Sequence, residues 1–148
     1  MLLGLISIAS SKTTKDTAST VTHLLNYAAT HPEATIRFHK NDMILHGHSD
    51  ASYLNEPDAR SRLGGYWFLS KKPLDPTNSD SIPPPTNGAI HIPCSIMKMV
   101  LSSAVEAELG ALFYIAKDAA CLRVILTEMG HPQPPTPIQT TIYVQLVF

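Results

Sequence analysis

The run His46-Gly47-His48-Ser49-Asp50-Ala51-Ser52-Tyr53, followed much later by Ser102-Ser103-Ala104-Val105-Glu106-Ala107-Glu108-Leu109, decides how this chain is read. The first piece reads as a strand that delivers a carboxylate, the second as a helix start that delivers another. Two acidic groups carried on separate elements can converge on one divalent cation, and hard cations such as Mg²⁺ take oxygen ligands of this kind.

Outward from the first piece, strands are expected. Thr35 to Phe38 is a short candidate that pairs with Met43 to Ser49 across the polar turn His39-Lys40-Asn41-Asp42. Leu63 to Ser70 is glycine-led and aromatic, and Ala89 to Cys94 alternates well enough for a third strand. Between them, Lys71 to Gly88 is rich in Pro, Asp, Ser and Asn; its prolines remove ladder donors, so it reads as a disordered insertion or a flap, with disorder preferred. Upstream, Val21, Leu24, Leu25 and Ala28 recur at helical spacing, which predicts a helix from Thr13 to Thr30 ended by His31-Pro32. Around the second piece, Val105, Leu109, Leu112, Phe113 and Ala116 form one apolar stripe. Leu122, Ile125, Leu126 and Met129 form another, offset at Lys117 to Ala120, so two helices are expected before the stop at Gly130 and Pro132. Ile138 to Phe148, rich in β-branched and aromatic residues, reads as a last strand.

Composition bounds the function without naming it. A chain of 148 residues suits one domain, and a formal charge of −1 gives no global basic field for nucleic acid, so any such contact is local. Cys94 and Cys121 make neither a disulfide framework nor a zinc motif, and point to a reducing, intracellular compartment. The apolar start, Met1 to Ala9, is too short to span a membrane and has no basic residue ahead of it; it reads as a segment whose upstream partner is missing.

The order of the pieces resembles the ribonuclease H domain of copia-type retrotransposon polyproteins. The resemblance is carried by Ser49-Asp50-Ala51, Gly64-Gly65-Tyr66-Trp67-Phe68 and Ser102-Ser103-Ala104-Val105-Glu106-Ala107-Glu108. It continues through Leu122-Arg123 and Glu128-Met129-Gly130 to Pro137-Ile138-Gln139-Thr140. It implies an α/β fold, an incomplete ribonuclease H-like mixed sheet packed by helices over residues 35–148. Residues 1–34 would then be the connection from a missing reverse transcriptase. It also implies two-metal hydrolysis of the RNA strand of an RNA–DNA hybrid, with Mg²⁺ as cofactor and Asp50 and Glu108 as catalytic metal ligands.

Each site residue has a plainer reading. Asp50 would serve as a loop cap at a strand end. Periodicity puts Glu106 and Glu108 on opposite edges of the apolar stripe and cannot choose between them; the resemblance chooses Glu108 and leaves Glu106 a solvated flank residue. His46 and His48 share a strand face with Asp50, which allows a His-x-His-x-Asp metal site or two histidines bonded within the sheet. Arg60, Arg62, Lys71 and Lys72 are candidate phosphate contacts or ordinary surface cations.

The family pattern ends its last strand with Thr-Asp-Asn, and that Asp is a third ligand. Here Thr140, Thr141 and Ile142 stand instead. The expectation is a truncated, catalytically dead fragment, with weak or no Mg²⁺ binding and self-association through an exposed sheet face. Two alternatives stay open: a ribonuclease H completed by another chain, and a non-enzymatic nucleic-acid-binding or interaction module. A reading-frame slip accounts for the tail. The codons ACA ACA ATT TAT GTG CAG TTG GTT TT- encode Thr140 to Phe148, and one G restored after the first gives Thr-Asp-Asn-Leu-Cys-Ala-Val-Gly.

Overall fold

The computed structural model describes residues 13–72 and 84–141, and the backbone of 146–147. Met1 to Ala9 and most of the proline-rich insertion lie outside the described residues. The chain forms two compact units, Met1–Ile36 and Arg37–Phe148.

In the first unit, α1 (Lys15–Thr30) opens on a capping box. The Thr14 hydroxyl accepts from the Thr17 amide at 3.3 Å, and the Thr17 hydroxyl accepts from the Thr14 amide at 3.2 Å, so two orphan donors of the first turn are satisfied. At its far end His31 stacks on Tyr27 and Pro32 stops the helix, as the spacing predicts.

The second unit is an α/β structure built on one long hairpin. β1 (Ile44–Glu56) runs antiparallel to β2 (Arg60–Ser70), in register from Ile44↔Ser70 to Ser52↔Arg62. The 3₁₀ turn Pro57–Ala59 joins them, with Asp58 and Ala59 at φ of 60° and 51°. Thr35 to Phe38 is not a strand. Asn87 holds the chain ahead of β1 in place of a ladder: its Oδ1 accepts from the His39 amide at 2.8 Å, while its Nδ2 donates to His39 O at 3.0 Å and Leu69 O at 2.9 Å. The expected strand Ala89 to Cys94 is two, β3 (Ala89–His91) and β4 (Cys94–Ile96), both paired with β2. Pro93 interrupts it, lacking a donor, but its carbonyl still accepts from the Gly65 amide at 2.9 Å.

The pair of helices expected after Leu101 is a single helix, α2 (Ala104–Glu128). No Gly or Pro lies between Lys117 and Ala120, and alanines there favour continuation. Its buried side is Ala107, Gly110, Ala111, Leu112, Ile115, Ala119 and Leu126. Val105, Leu109 and Phe113, expected in the core, face solvent. Gly65 lets the helix lie close to the sheet, since a Cβ there would collide with Ile115; Gly47 makes room for its cross-strand partner, since a Cβ there would come within 2.5 Å of the Trp67 ring. The helix ends in a Schellman motif, with Gly130 at φ 89° and the His131 and Gly130 amides donating to Leu126 O and Thr127 O.

β5 (Pro137–Thr140) returns parallel to β1, in register Gly47↔Ile138, His48↔Gln139 and Ser49↔Thr140. The expected single strand to Phe148 instead folds back, and β6 (Leu146–Val147) pairs antiparallel with β5. The sheet is therefore mixed, in the order β3-β2-β1-β5-β6, with β4 also on β2. Strand alternation turns Leu45, Gly47, Ser49 and Ala51 toward α2, where Leu45 and Ala51 join the core with Trp67, Met97, Ile115 and Ile138. His46, His48 and Asp50 lie on the other side.

Candidate functional site

The α2 N-terminus is set by Ser103, whose hydroxyl accepts from the Glu106 amide at 3.1 Å. Glu106 is exposed, as expected, but it is not idle. Its Oε2 accepts from the Ser102 hydroxyl at 2.6 Å and the Ser102 amide at 2.7 Å, which closes the cap. Those bonds, the hydroxyl first, hold its carboxyl below the usual range.

One half-turn on, Glu108 is half-buried and reaches the sheet where β1 and β5 part. Its Oε1 accepts from the Ala51 amide and its Oε2 from the Thr140 hydroxyl, each at 3.3 Å. The last pair of the β1–β5 ladder is Ser49↔Thr140, so Glu108 fills the notch just beyond it. Glu108 therefore sits at the end of the parallel pair, bonded to the amide that follows Asp50 and to the hydroxyl of Thr140.

The two predicted ligands are brought together at the level of the backbone. Glu108 bonds the peptide that follows Asp50, whereas the exposed Asp50 side chain points to the opposite side of β1 from Ala51. Among the described residues Asp50 makes no side-chain hydrogen bond, and no three His, Cys, Asp or Glu side chains are gathered as a metal centre.

The histidines beside Asp50 are built into the sheet. His46 is buried, donates from Nε2 to Lys71 O at 3.0 Å and stacks on Phe68 at 5.5 Å; His48 packs against Phe68 and Tyr66. Burial pushes both imidazoles below their ordinary value of 6.5. Arg62 is no phosphate contact: it is buried in a two-pronged pair with Glu56, Nε to Oε1 at 2.6 Å and Nη2 to Oε2 at 3.2 Å. Arg60, Lys71 and Lys72 are exposed.

Two polar residues of the frame, Asn87 and Gln133, carried no sequence signal, and a third, Arg123, entered only within the Leu122-Arg123 piece of the resemblance, with no role attached. Asn87 ties the chain before β1 to the end of β2. Gln133 accepts from Leu45 N and donates to Met43 O, both at 2.9 Å, at the edge of β1 ahead of β5. Arg123 on α2 donates to Thr136 Oγ1 at 2.7 Å, to Gln133 O at 3.0 Å and to Pro134 O. A lone polar residue in a proline-rich spacer looks like any solvated loop; only the register shows what it bonds.

Comparison with protein-family models, with curated proteins and with solved structures returned no match.

Proposed function

We propose that this chain is the ribonuclease H-like segment of a copia-type retrotransposon polyprotein, in a form that does not cleave RNA–DNA hybrids. The observation that carries the reading is the seat of Glu108 at the end of β1 and β5, bonded to the peptide that follows Asp50 and to Thr140. Asp50, Ala51, Glu108 and Thr140 belong to stretches that carry the resemblance, and Thr141 is where the chain departs from it. A hairpin, short strands, one helix across the sheet and a parallel return strand are also compatible with the front half of such a fold.

The same positions explain the loss of activity. Two-metal phosphodiester hydrolysis needs enough carboxylate to neutralise two divalent cations a few ångström apart. Thr141 offers a hydroxyl where the family pattern has its third carboxylate, and both Glu108 oxygens already accept from neutral donors. This donor set does not fit a pair of Mg²⁺ ions, and no hydrolytic step follows from it.

The test is incubation of the purified chain with a labelled RNA–DNA hybrid in Mg²⁺ and in Mn²⁺. No cleavage is expected. Retention of the hybrid without cleavage would favour a binding module that keeps only the scaffold. Metal-dependent cleavage abolished by Asp50→Asn would overturn the reading.

A further inference from the structure

We propose that Glu108 serves in this chain as a clasp joining α2 to the two parallel strands, and not as a metal ligand. The inference rests on the reading just given, because it concerns what the residue does where the ion pair does not fit.

The geometry calls for an acceptor at this point. β5 leaves β1 after Ser49↔Thr140, so the Ala51 amide has no carbonyl opposite it. Glu108 Oε1 takes that place. Its other oxygen holds the Thr140 hydroxyl, so one side chain bonds both strands at their fork. Ser49, paired with Thr140, already has its buried Oγ without a partner among the described residues. Removing the carboxylate would leave the half-buried Ala51 N–H and Thr140 O–H without this acceptor, and polar groups shielded from water are costly to leave unpaired. Ala107 and Ala111, fully buried on the adjoining turn, seat this part of the helix against the core.

A clasp and a ligand respond oppositely to Glu108→Gln. The amide oxygen can still accept from Ala51 N, and the amide N–H can donate to the Thr140 hydroxyl, which accepts as readily as it donates. A clasp therefore survives the change. A ligand would not: the substitution would abolish ion binding.

The experiment is a melting series on the full chain, with and without about 10 mM MgCl₂. Wild type and Glu108→Gln are expected to melt together, Glu108→Ala and Thr140→Val roughly 5 °C lower, and Mg²⁺ to shift none of them. The double variant Glu108→Ala/Thr140→Val should melt with Glu108→Ala alone, since the two groups share one interaction. If Glu108→Ala does not fold, Thr140→Val decides. The clasp is overturned if Thr140→Val melts as wild type, if Glu108→Gln melts apart from it, or if Mg²⁺ stabilises wild type but not Glu108→Gln. Cleavage of a hybrid would sink the proposed function without altering this series, and the series can fail while the chain remains inactive.

Discussion

Arg62→Leu strips the paired cation from a carboxylate that the fold has taken out of water. Glu56 and Arg62 have 5% of their side-chain surface exposed, and two parallel bonds of 2.6 and 3.2 Å join them across the irregular end of the hairpin. Breaking such a pair strands a buried charge, for which about 3–5 kcal/mol is typical. This pair sits at a hairpin tip beside exposed Asn55, Asp58 and Arg60, so water can follow the stranded carboxylate. About 2–3 kcal/mol at pH 7 is the better figure, equivalent to roughly 10 °C in Tm for a unit of this size. The sole tryptophan, Trp67, is fully buried on β2, and its emission during urea unfolding reads the hairpin core directly. Removing both charges in Glu56→Leu/Arg62→Leu should recover most of the loss.

The pH dependence carries the same signature. The Arg62 hydrogen bond holds the Glu56 carboxyl below its ordinary value of 4.5. The unfolded chain then binds the proton first as pH falls, so the contribution is full above that value and lost as pH drops through the depressed one. Glu56→Gln should flatten this acid limb. A loss under about 0.5 kcal/mol in Arg62→Leu, or a double variant worse than the single, would refute the argument.

Burial lowers both imidazoles of His46 and His48, so the unfolded chain takes up protons first and stability should fall as pH drops through 6.5 toward the depressed values. A His46→Gln/His48→Gln variant whose Tm kept the full slope would contradict this. Gly47→Ala should lose about 2–3 kcal/mol by forcing Trp67 off its seat, read as a shift in its emission; an unchanged spectrum and Tm would show that the ring has room to move. Thr141→Asp alone is expected to leave hybrid cleavage at background, and turnover in Mg²⁺ would show that three carboxylates suffice here. Genomic DNA across Thr140–Phe148 should match ACA ACA ATT TAT GTG CAG TTG GTT TT- base for base; other synonymous codons there that destroy the alternative frame would remove the case for a slip.

The strands around Asp50 were legible because Met43 to Ser49 follows a polar turn, with His46, His48 and Asp50 on one face, and Leu63 to Ser70 is glycine-led and aromatic. The hairpin between them was not, since its turn uses Asp58 and Ala59 at positive φ without the glycine that marks such turns. The core side of α2 does not follow the bulk of its residues, which is what an apolar stripe measures. The helix turns Ala107, Ala111 and Ala119 inward and leaves Val105, Leu109 and Phe113 out, in keeping with the close approach of Ile115 that Gly65 allows. For the site, periodicity could not separate Glu106 from Glu108. What separates them is a cap on one side and a strand fork on the other, and the fork depends on the β1–β5 register, which no local pattern encodes.

β5 is gripped by one helix at both ends. Arg123 holds the approach at Gln133, Pro134 and Thr136, and Glu108 holds the exit at Thr140. This changes the search that β5 faces during folding. Pairing Ile138 directly with Gly47 would mean closing a chain segment that spans the whole second half of the hairpin and everything after it. Docking first on α2 needs only the short turn after Met129, because Arg123 and Thr136 lie 13 residues apart. Loop-closure entropy rises with the logarithm of length, and early local contacts spare the chain most of that search. If α2, once on the β1–β2 hairpin, carries β5 to its place, the parallel ladder should form late, and its rate should follow Arg123 more closely than any residue of the sheet.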